Sequence, residues 1–329
     1  MPGAVRNTLQ ARMMKGQTRA VTIHAEHSWY DTILAGKFDF FTKMEHRLTA
    51  EGVALRIVRS PSTASRVLRD GNGAHIIVAD LPQPGPRVLH AMPSHIWGFW
   101  HLDPKGALQH SQITDKSFDP NEVDEQEAKY FFNGVAGYML RENVTRHAQE
   151  PRRETPLPSA RAAVFVQHID QFKTSQPYVE TLSMLDAVLN ACAPGRVTVK
   201  LHPHQRPETI AEITALVDLH PQAELCTASV HDQIAAADVV VTQNSTAGFE
   251  ALMQRKPVVT CAPTALHHAT LVARTPTEIA NAIHSGPEQQ ADFAYAPYFY
   301  WFLSQNCLEP AKPDFADRAW EILQAHCGL

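Results

Sequence analysis

Apolar runs that stop abruptly in polar residues constrain this chain more than any other feature. The clearest is Val239-Val-Val-Thr-Gln-Asn-Ser-Thr-Ala-Gly-Phe-Glu-Ala-Leu252. Its β-branched run, polar break and renewed apolar stretch read as a buried strand, a turn and a helix. Val197-Thr-Val-Lys-Leu-His-Pro-His204 repeats the strand and the polar stop, and the run over 162–166 ends in Gln167-His-Ile-Asp170. Further short apolar runs at 223–225 and 258–261 alternate with helical stretches over 181–191, 207–219, 230–236, 247–254 and 276–284. Near-continuous apolar strands between helices predict a parallel sheet covered on both faces.

The first half shows the same alternation. Strands are expected at 19–23, 53–58 and 74–79, with helices over 31–51 and 64–69. A proline-rich run over 81–86 breaks the pattern. Beyond it Trp97, Phe99, Trp100 and His101 cluster, either to stack on a sugar ring or to anchor a loop as a small core. Two helices are expected over 121–132 and 134–147, followed by a charged, proline-rich linker over 149–158. These features divide the chain into a flexible leader (1–18), an N-terminal α/β domain (19–150), a C-terminal Rossmann-like domain (151–295) and a helical segment (296–329) packing across both.

At 329 residues two domains are the better expectation, and the 44% hydrophobic fraction is that of a globular chain. A formal charge of -5 argues against nucleic acid as the main ligand. The five cysteines are dispersed without a Cys-x-x-Cys pair, which points to a reducing cytoplasm rather than to disulfides or a structural zinc. Eighteen histidines show no metal-ligand spacing, so no metal is expected. Arg6, Arg12, Lys15 and Arg19 near the start mark either a mobile leader or a peripheral contact with an anionic inner membrane.

Open α/β sheets bind ligands beyond the carboxyl ends of their strands. Three such ends meet here: Gln167 to Asp170, His202-Pro203-His204 and Gln243 to Thr246. Asn244, Ser245 and Thr246 open a helix, where hydroxyls and backbone N–H groups can seat a phosphate. His202, held by Pro203, or Lys200 can supply positive charge; Lys200 can equally point away from the site. His204 is a second phosphate contact or a solvated loop residue, and Glu250 a ribose partner or a helix-surface carboxylate. Asp170 reads as a base or nucleophile, or as a helix cap. In the first half His24, Glu26 and His27 follow a strand, for acceptor binding, acid–base work or local hydrogen bonding. His267 and His268 border a base or lie on a helix surface.

Lys-Leu-His-Pro at 200–203 and Asn-Ser-Thr-Ala-Gly-Phe-Glu-Ala-Leu at 244–252 resemble motifs of bacterial GT-B glycosyltransferases that use CMP-sugars. With Gln167 to Asp170 and the aromatic stretch Phe299 to Cys307, the resemblance narrows to capsule polysaccharide proteins of the KpsC/KpsS type, which are β-Kdo transferases. It covers about residues 160–310. It implies a GT-B-like α/β fold, two Rossmann-like domains facing a cleft with C-terminal helices crossing back. It further implies metal-independent, retaining transfer of Kdo from CMP-Kdo to a capsule or lipid-linked saccharide. His202, Ser245 and Thr246 would then hold the CMP phosphate, Glu250 the nucleotide, and Asp170 would be the catalytic carboxylate. No cofactor is implied beyond the donor; the partners would be a saccharide or glycolipid acceptor and capsule assembly proteins. A sialyltransferase, a polyol-phosphate transferase and a non-catalytic nucleotide-sugar or glycan binder remain alternatives.

Overall fold

The computed structural model describes residues 2–79, 81–169 and 176–329. The chain forms two compact units, one of Met1–Lys116 with Phe302–Leu329 and one of Ser117–Trp301. Each is an α/β layer structure around its own mostly parallel sheet, as the alternation predicts.

The first sheet contains β1 (Gly3–Val5), β2 (Ala20–Ala25), β3 (Ala54–Arg59), β4 (Ala74–Val78), β5 (Val88–Pro93) and β6 (Trp100–Asp103), in the order β1-β3-β2-β4-β5-β6. Only β6 runs antiparallel to its neighbour. The leader is part of this unit rather than a flexible segment. Gly3, Ala4 and Val5 pair with Arg56, Ile57 and Val58. The helix Thr8–Met14 follows, capped by the Asn7 side chain on the Gln10 N–H, and Val5 and Ala11 join Val58, Ala64 and Leu68 in a small core.

The helix expected over 31–51 is two, His27–Leu34 and Asp39–Ala50. Gly36 adopts a left-handed φ of 66°, and the Gly36 and Lys37 N–H groups return to the Ile33 and Thr32 carbonyls. That C-terminal cap ends the first helix. The aromatic cluster resolves as core: Trp100 is buried and stacks on Phe40 at 4.7 Å, with Phe38, Phe41 and Trp29 edge-on to it. Only Trp97 of that run is exposed.

The last helix, Phe315–Cys327, completes this unit. Phe315, Ala319, Trp320, Leu323 and Cys327 recur at helical spacing and enter the same core as Phe40 and Leu48. Arg47 on the neighbouring helix bonds Asp317 at 2.8 Å.

The second sheet contains β7 (Ala160–Phe165), β8 (Val197–Lys200), β9 (Ala223–Leu225), β10 (Ala237–Thr242), β11 (Val258–Thr260) and β12 (Leu271–Val272), all parallel, in the order β12-β11-β10-β7-β8-β9. The chain starts at the centre, fills one side with β8 and β9, and returns to fill the other from β10. The order therefore reverses between β7 and β10, which is the Rossmann arrangement with its switch point there. The helix Thr181–Cys192 covers one face with Thr181, Met184, Leu185, Val188, Leu189 and Cys192.

The unit boundary falls at residue 116, not at the charged run over 149–158. Glu125–Arg141 is one helix, capped by Asp124, where two were expected over 121–147. It belongs with the second unit because Phe132 meets Phe299 at 5.1 Å, which in turn meets Phe249 at 4.5 Å. The charged run is not a free linker either. Arg152 pairs with the buried carboxylate of Asp232, whose other oxygen accepts from the Arg153 N–H at 2.9 Å. Among the described residues no helix is long and apolar enough to cross a membrane.

The docking of the last helix predicts that Phe315→Ala lowers unfolding free energy by about 3–5 kcal/mol, the usual range for emptying a buried phenylalanine site. Asp317→Ala, which removes an exposed ion pair, is expected to lose less than about 1 kcal/mol. Urea titrations followed by tryptophan fluorescence separate the two, and equal effects would place the helix outside the core.

Candidate functional site

The switch point of the second sheet is closed by a reciprocal side-chain clamp. Gln167, just past β7, accepts the Asn244 N–H on Oε1 at 2.7 Å and donates its Nε2 to Asn244 Oδ1 at 3.1 Å. Asn244 Nδ2 then donates to the Pro263 carbonyl at 3.0 Å. Below the clamp Thr242 Oγ1 donates to the Phe165 carbonyl at 2.8 Å. Two loops that leave adjacent strands are thereby fixed at one height above the sheet.

Ser245 caps the helix Thr246–Met253, accepting the Ala247 N–H at 3.2 Å. Asn244, Ser245 and Thr246 are half-buried, whereas Ala247 to Met253 are fully enclosed. A Cβ on Gly248 would stand 3.4 Å from Thr242 and Val258, so this helix is seated directly on the sheet. Its first turn offers N–H groups and the positive end of the helix dipole at the switch point.

At the end of β8 the His202-Pro203-His204 turn brings four imidazoles together. His202 lies 4.1 Å from His168, 5.6 Å from His204 and 5.5 Å from His147, measured between ring centres. The His204 N–H donates to His202 Nδ1 at 3.1 Å. That bond makes Nδ1 the acceptor and leaves Nε2–H as the donor of the neutral ring. Burial, then the neighbouring rings of His168, His147 and His204, push the His202 pKa down to about 4. His168 is lowered by burial, His204 and His147. His147 is lowered by burial, Arg146 and His204. Among the described residues no three His, Cys, Asp or Glu side chains are arranged to hold a metal ion.

His147 has no motif to announce it. It is expected at the end of a helix over 134–147, but the helix ends at Arg141 and the segment beyond it is strapped to the unit. The Ser229 hydroxyl donates to Asn143 Oδ1 at 2.8 Å, the Val230 N–H to Gln149 Oε1 at 2.7 Å, and the His231 ring meets the Val144 carbonyl at 2.8 Å. The strap presents His147 to the His-Pro-His turn.

Four expected ligand contacts, Lys200, Glu250, His24 and His27, have partners within the fold. Lys200 Nζ donates to the carbonyls of Ala228 at 2.7 Å and Thr227 at 3.0 Å, tying β8 to the following loop. Its charge is therefore directed away from the phosphate seat, and burial lowers its pKa. Glu250 is not a helix-surface carboxylate: it is 1% exposed and accepts a hydrogen bond from the Thr145 hydroxyl. Burial, partly offset by Thr145, raises its pKa to about 8. His24 is fully enclosed in β2 of the first unit. Its Nδ1 meets Ser65 Oγ at 2.8 Å and its Nε2 meets His75 Nδ1 at 3.0 Å, a chain inside the first unit whose far end, His75 Nε2, is buried with no protein partner among the described residues. Burial, His75 and Arg69 hold the His24 pKa well below its usual value; burial and then Arg69 and Arg87 bring His75 to about 4. His27 is exposed and bonds the Arg59 guanidinium. His267 stacks on His268 at 3.8 Å, and His268 meets Trp301 at 5.0 Å. Asp170 lies outside the described residues.

Residues 166–295 match the family described as capsule polysaccharide biosynthesis protein. The match takes in the motif-bearing stretch. It spans the clamp, the His-Pro-His turn and the helix Thr246–Met253. Among solved structures the chain is similar to the β-Kdo 2,7 transferase of Thermosulfurimonas dismutans KpsC, at 17% identity over 80% of this chain and 89% of that one, with a TM-score of 0.47. It is similar to the β-Kdo 2,4 transferase of the same protein at 14% identity over 80% and 90%, with a TM-score of 0.44. A putative UDP-N-acetylglucosamine 2-epimerase from Listeria monocytogenes gives 12% identity over 87% and 76%, with a TM-score of 0.39. No curated protein matches the chain in sequence.

The buried titratable groups predict opposite pH responses. Ionising Glu250 favours the unfolded chain, so its penalty grows as pH rises from the free carboxyl range near 4.5 to about 8. Glu250→Gln should therefore gain stability over wild type with rising pH, by roughly 3 kcal/mol near pH 8; a constant difference from pH 5 to 8 in urea titrations would show a carboxyl already ionised in the fold. His24 and His75 act in the other direction. Their stability contribution is intact above the free imidazole value of 6.5 and is lost as pH falls toward about 4. On the Glu250→Gln background, where the opposing carboxyl effect is removed, a drop of roughly 2 kcal/mol between pH 7 and 5 is expected. It should shrink when Ser65, His24 and His75 are replaced together by alanine, leucine and leucine.

Proposed function

We propose that the chain is a glycosyltransferase of capsule polysaccharide synthesis that takes its sugar from a CMP-linked donor, with Kdo the favoured sugar. The observation that carries this reading is the convergence at one switch point of the Gln167–Asn244 clamp, the first turn of the helix Thr246–Met253 and the His202 imidazole. The capsule-synthesis match over the same residues supports it.

In this reading the donor phosphate lies against the first-turn N–H groups, the Thr246 hydroxyl and the His202 Nε2–H. These donors stabilise the charge that grows on the phosphate as the bond to the sugar breaks. Asp170, which follows Ile169 in the sequence, is proposed as the nucleophile. Its carboxylate would bond to the anomeric carbon as CMP leaves; an acceptor hydroxyl would then displace it, losing a proton and restoring the starting configuration. The proposed acceptor is a capsule or lipid-linked saccharide. The charge development can be met by donors alone, and we propose a reaction without a metal. Proposed peripheral contact with the inner membrane or with capsule assembly proteins would bring the enzyme to that acceptor.

Calorimetric titration with CMP at millimolar concentration is the direct test. Wild type should bind, and His202→Ala should weaken binding about 10- to 100-fold, the range for losing a charge-assisted hydrogen bond. Asp170→Ala should keep CMP binding and circular dichroism while abolishing turnover of CMP-Kdo with acceptor. Absence of CMP binding by wild type would end the proposal.

A further inference from the structure

The four-imidazole cluster at the His-Pro-His turn goes beyond a single phosphate contact. His147, His168, His202 and His204 come from three separate segments, yet five of their ring pairs lie between 4.1 and 6.2 Å. Two imidazolium charges at about 4 Å repel by about 4 kcal/mol at an effective dielectric of 20. The cluster consequently rests with its rings largely neutral, consistent with the lowered pKa values of His147, His168 and His202.

Among the described residues, the groups that act on the rings share one sign. The groups acting on His202 are its three imidazole neighbours, and those acting on His147 are Arg146 and His204. At the foot of the turn Lys200 is held by backbone carbonyls, with Glu150 and Cys226 acting on it rather than on the rings. An anion entering among the rings would replace mutual repulsion with attraction and accept from Nε2–H of His202.

We propose that these four histidines form a proton-switched anion seat: a phosphodiester docking there draws a proton onto the cluster, and His147 is one of its members. This rests on the reading of the His202 region as the donor-phosphate site and adds its regulation. Donor affinity then rises as pH falls through the imidazole range, and release of the phosphate returns the proton to solvent. The seat is charged only while it is filled.

The test uses the methyl ester of CMP, a phosphodiester whose single charge does not titrate in this range, with a chelator present throughout. Calorimetry in two buffers of different ionisation heat reads the protons taken up per ligand bound. Wild type should take up about 0.5 to 1 proton near pH 7, and its affinity should rise several-fold, at most about tenfold per pH unit, from pH 8 to pH 6. His147→Gln and, independently, the exposed His204→Gln should each lower the uptake and flatten that slope. Binding with no proton uptake and equal affinity at pH 6 and 8 would overturn the switch while leaving the phosphate site standing. An uptake unchanged in both variants would overturn the cluster as its source. No binding at any pH would remove the donor-site reading and the switch with it.

Discussion

The pairing of β7 with β10 is the contact on which the second unit depends. It brings Phe165 opposite Thr242, so the two strands end level. The chain order reverses there, and at such a switch point open α/β sheets form a crevice outside the strand ends. The Gln167–Asn244 clamp is the cross-brace of that crevice. It satisfies a backbone N–H and both side-chain amides without a ligand, so the loops need no donor to reach their geometry.

Much of this was legible because strands buried on both faces must be apolar throughout. Runs such as Val239-Val-Val and Val197-Thr-Val allow little else, and their polar ends mark the sheet edge. Two of the short edge strands carry no such signal. Gly3–Val5 and Leu271–Val272 are three and two residues long, and each is a strand only because a longer neighbour supplies its partner. The charged run over 149–158 misleads for a related reason. Arginine and glutamate read as solvated, but Arg152 stands against a carboxylate at the start of the helix Val230–Ala236. Charge composition reports how polar a segment is, not whether another segment answers it.

The site residues divide along the same line. Types that follow a strand end could be placed at the sheet edge, because the edge is a property of the strand. Which way each side chain points is a property of the packing. Glu250 lies one turn into a helix enclosed over all its length from Ala247, so its carboxyl meets Thr145 rather than solvent. His24 is still inside β2, where its partners are Ser65 and His75 from neighbouring elements. His147 is the converse case. Nothing near it in sequence marks it, and only the strap from Asn143 to Val230 brings it to His202.

The choice of imidazole over ammonium at this edge follows from what an empty site must tolerate. A half-buried lysine would keep its charge in the unliganded state and lose hydration with nothing in return. Lys200 meets that difficulty by turning to two carbonyls, which stabilises the loop and engages its charge with backbone oxygens. Histidine avoids it by giving up the proton. A cluster of histidines does so more completely than one ring, because each suppresses the protonation of the others. The same mutual suppression makes the cluster responsive, since one anion relieves several repulsions at once. A seat of this kind binds a charged leaving group tightly while it is present and relaxes to neutrality when it departs.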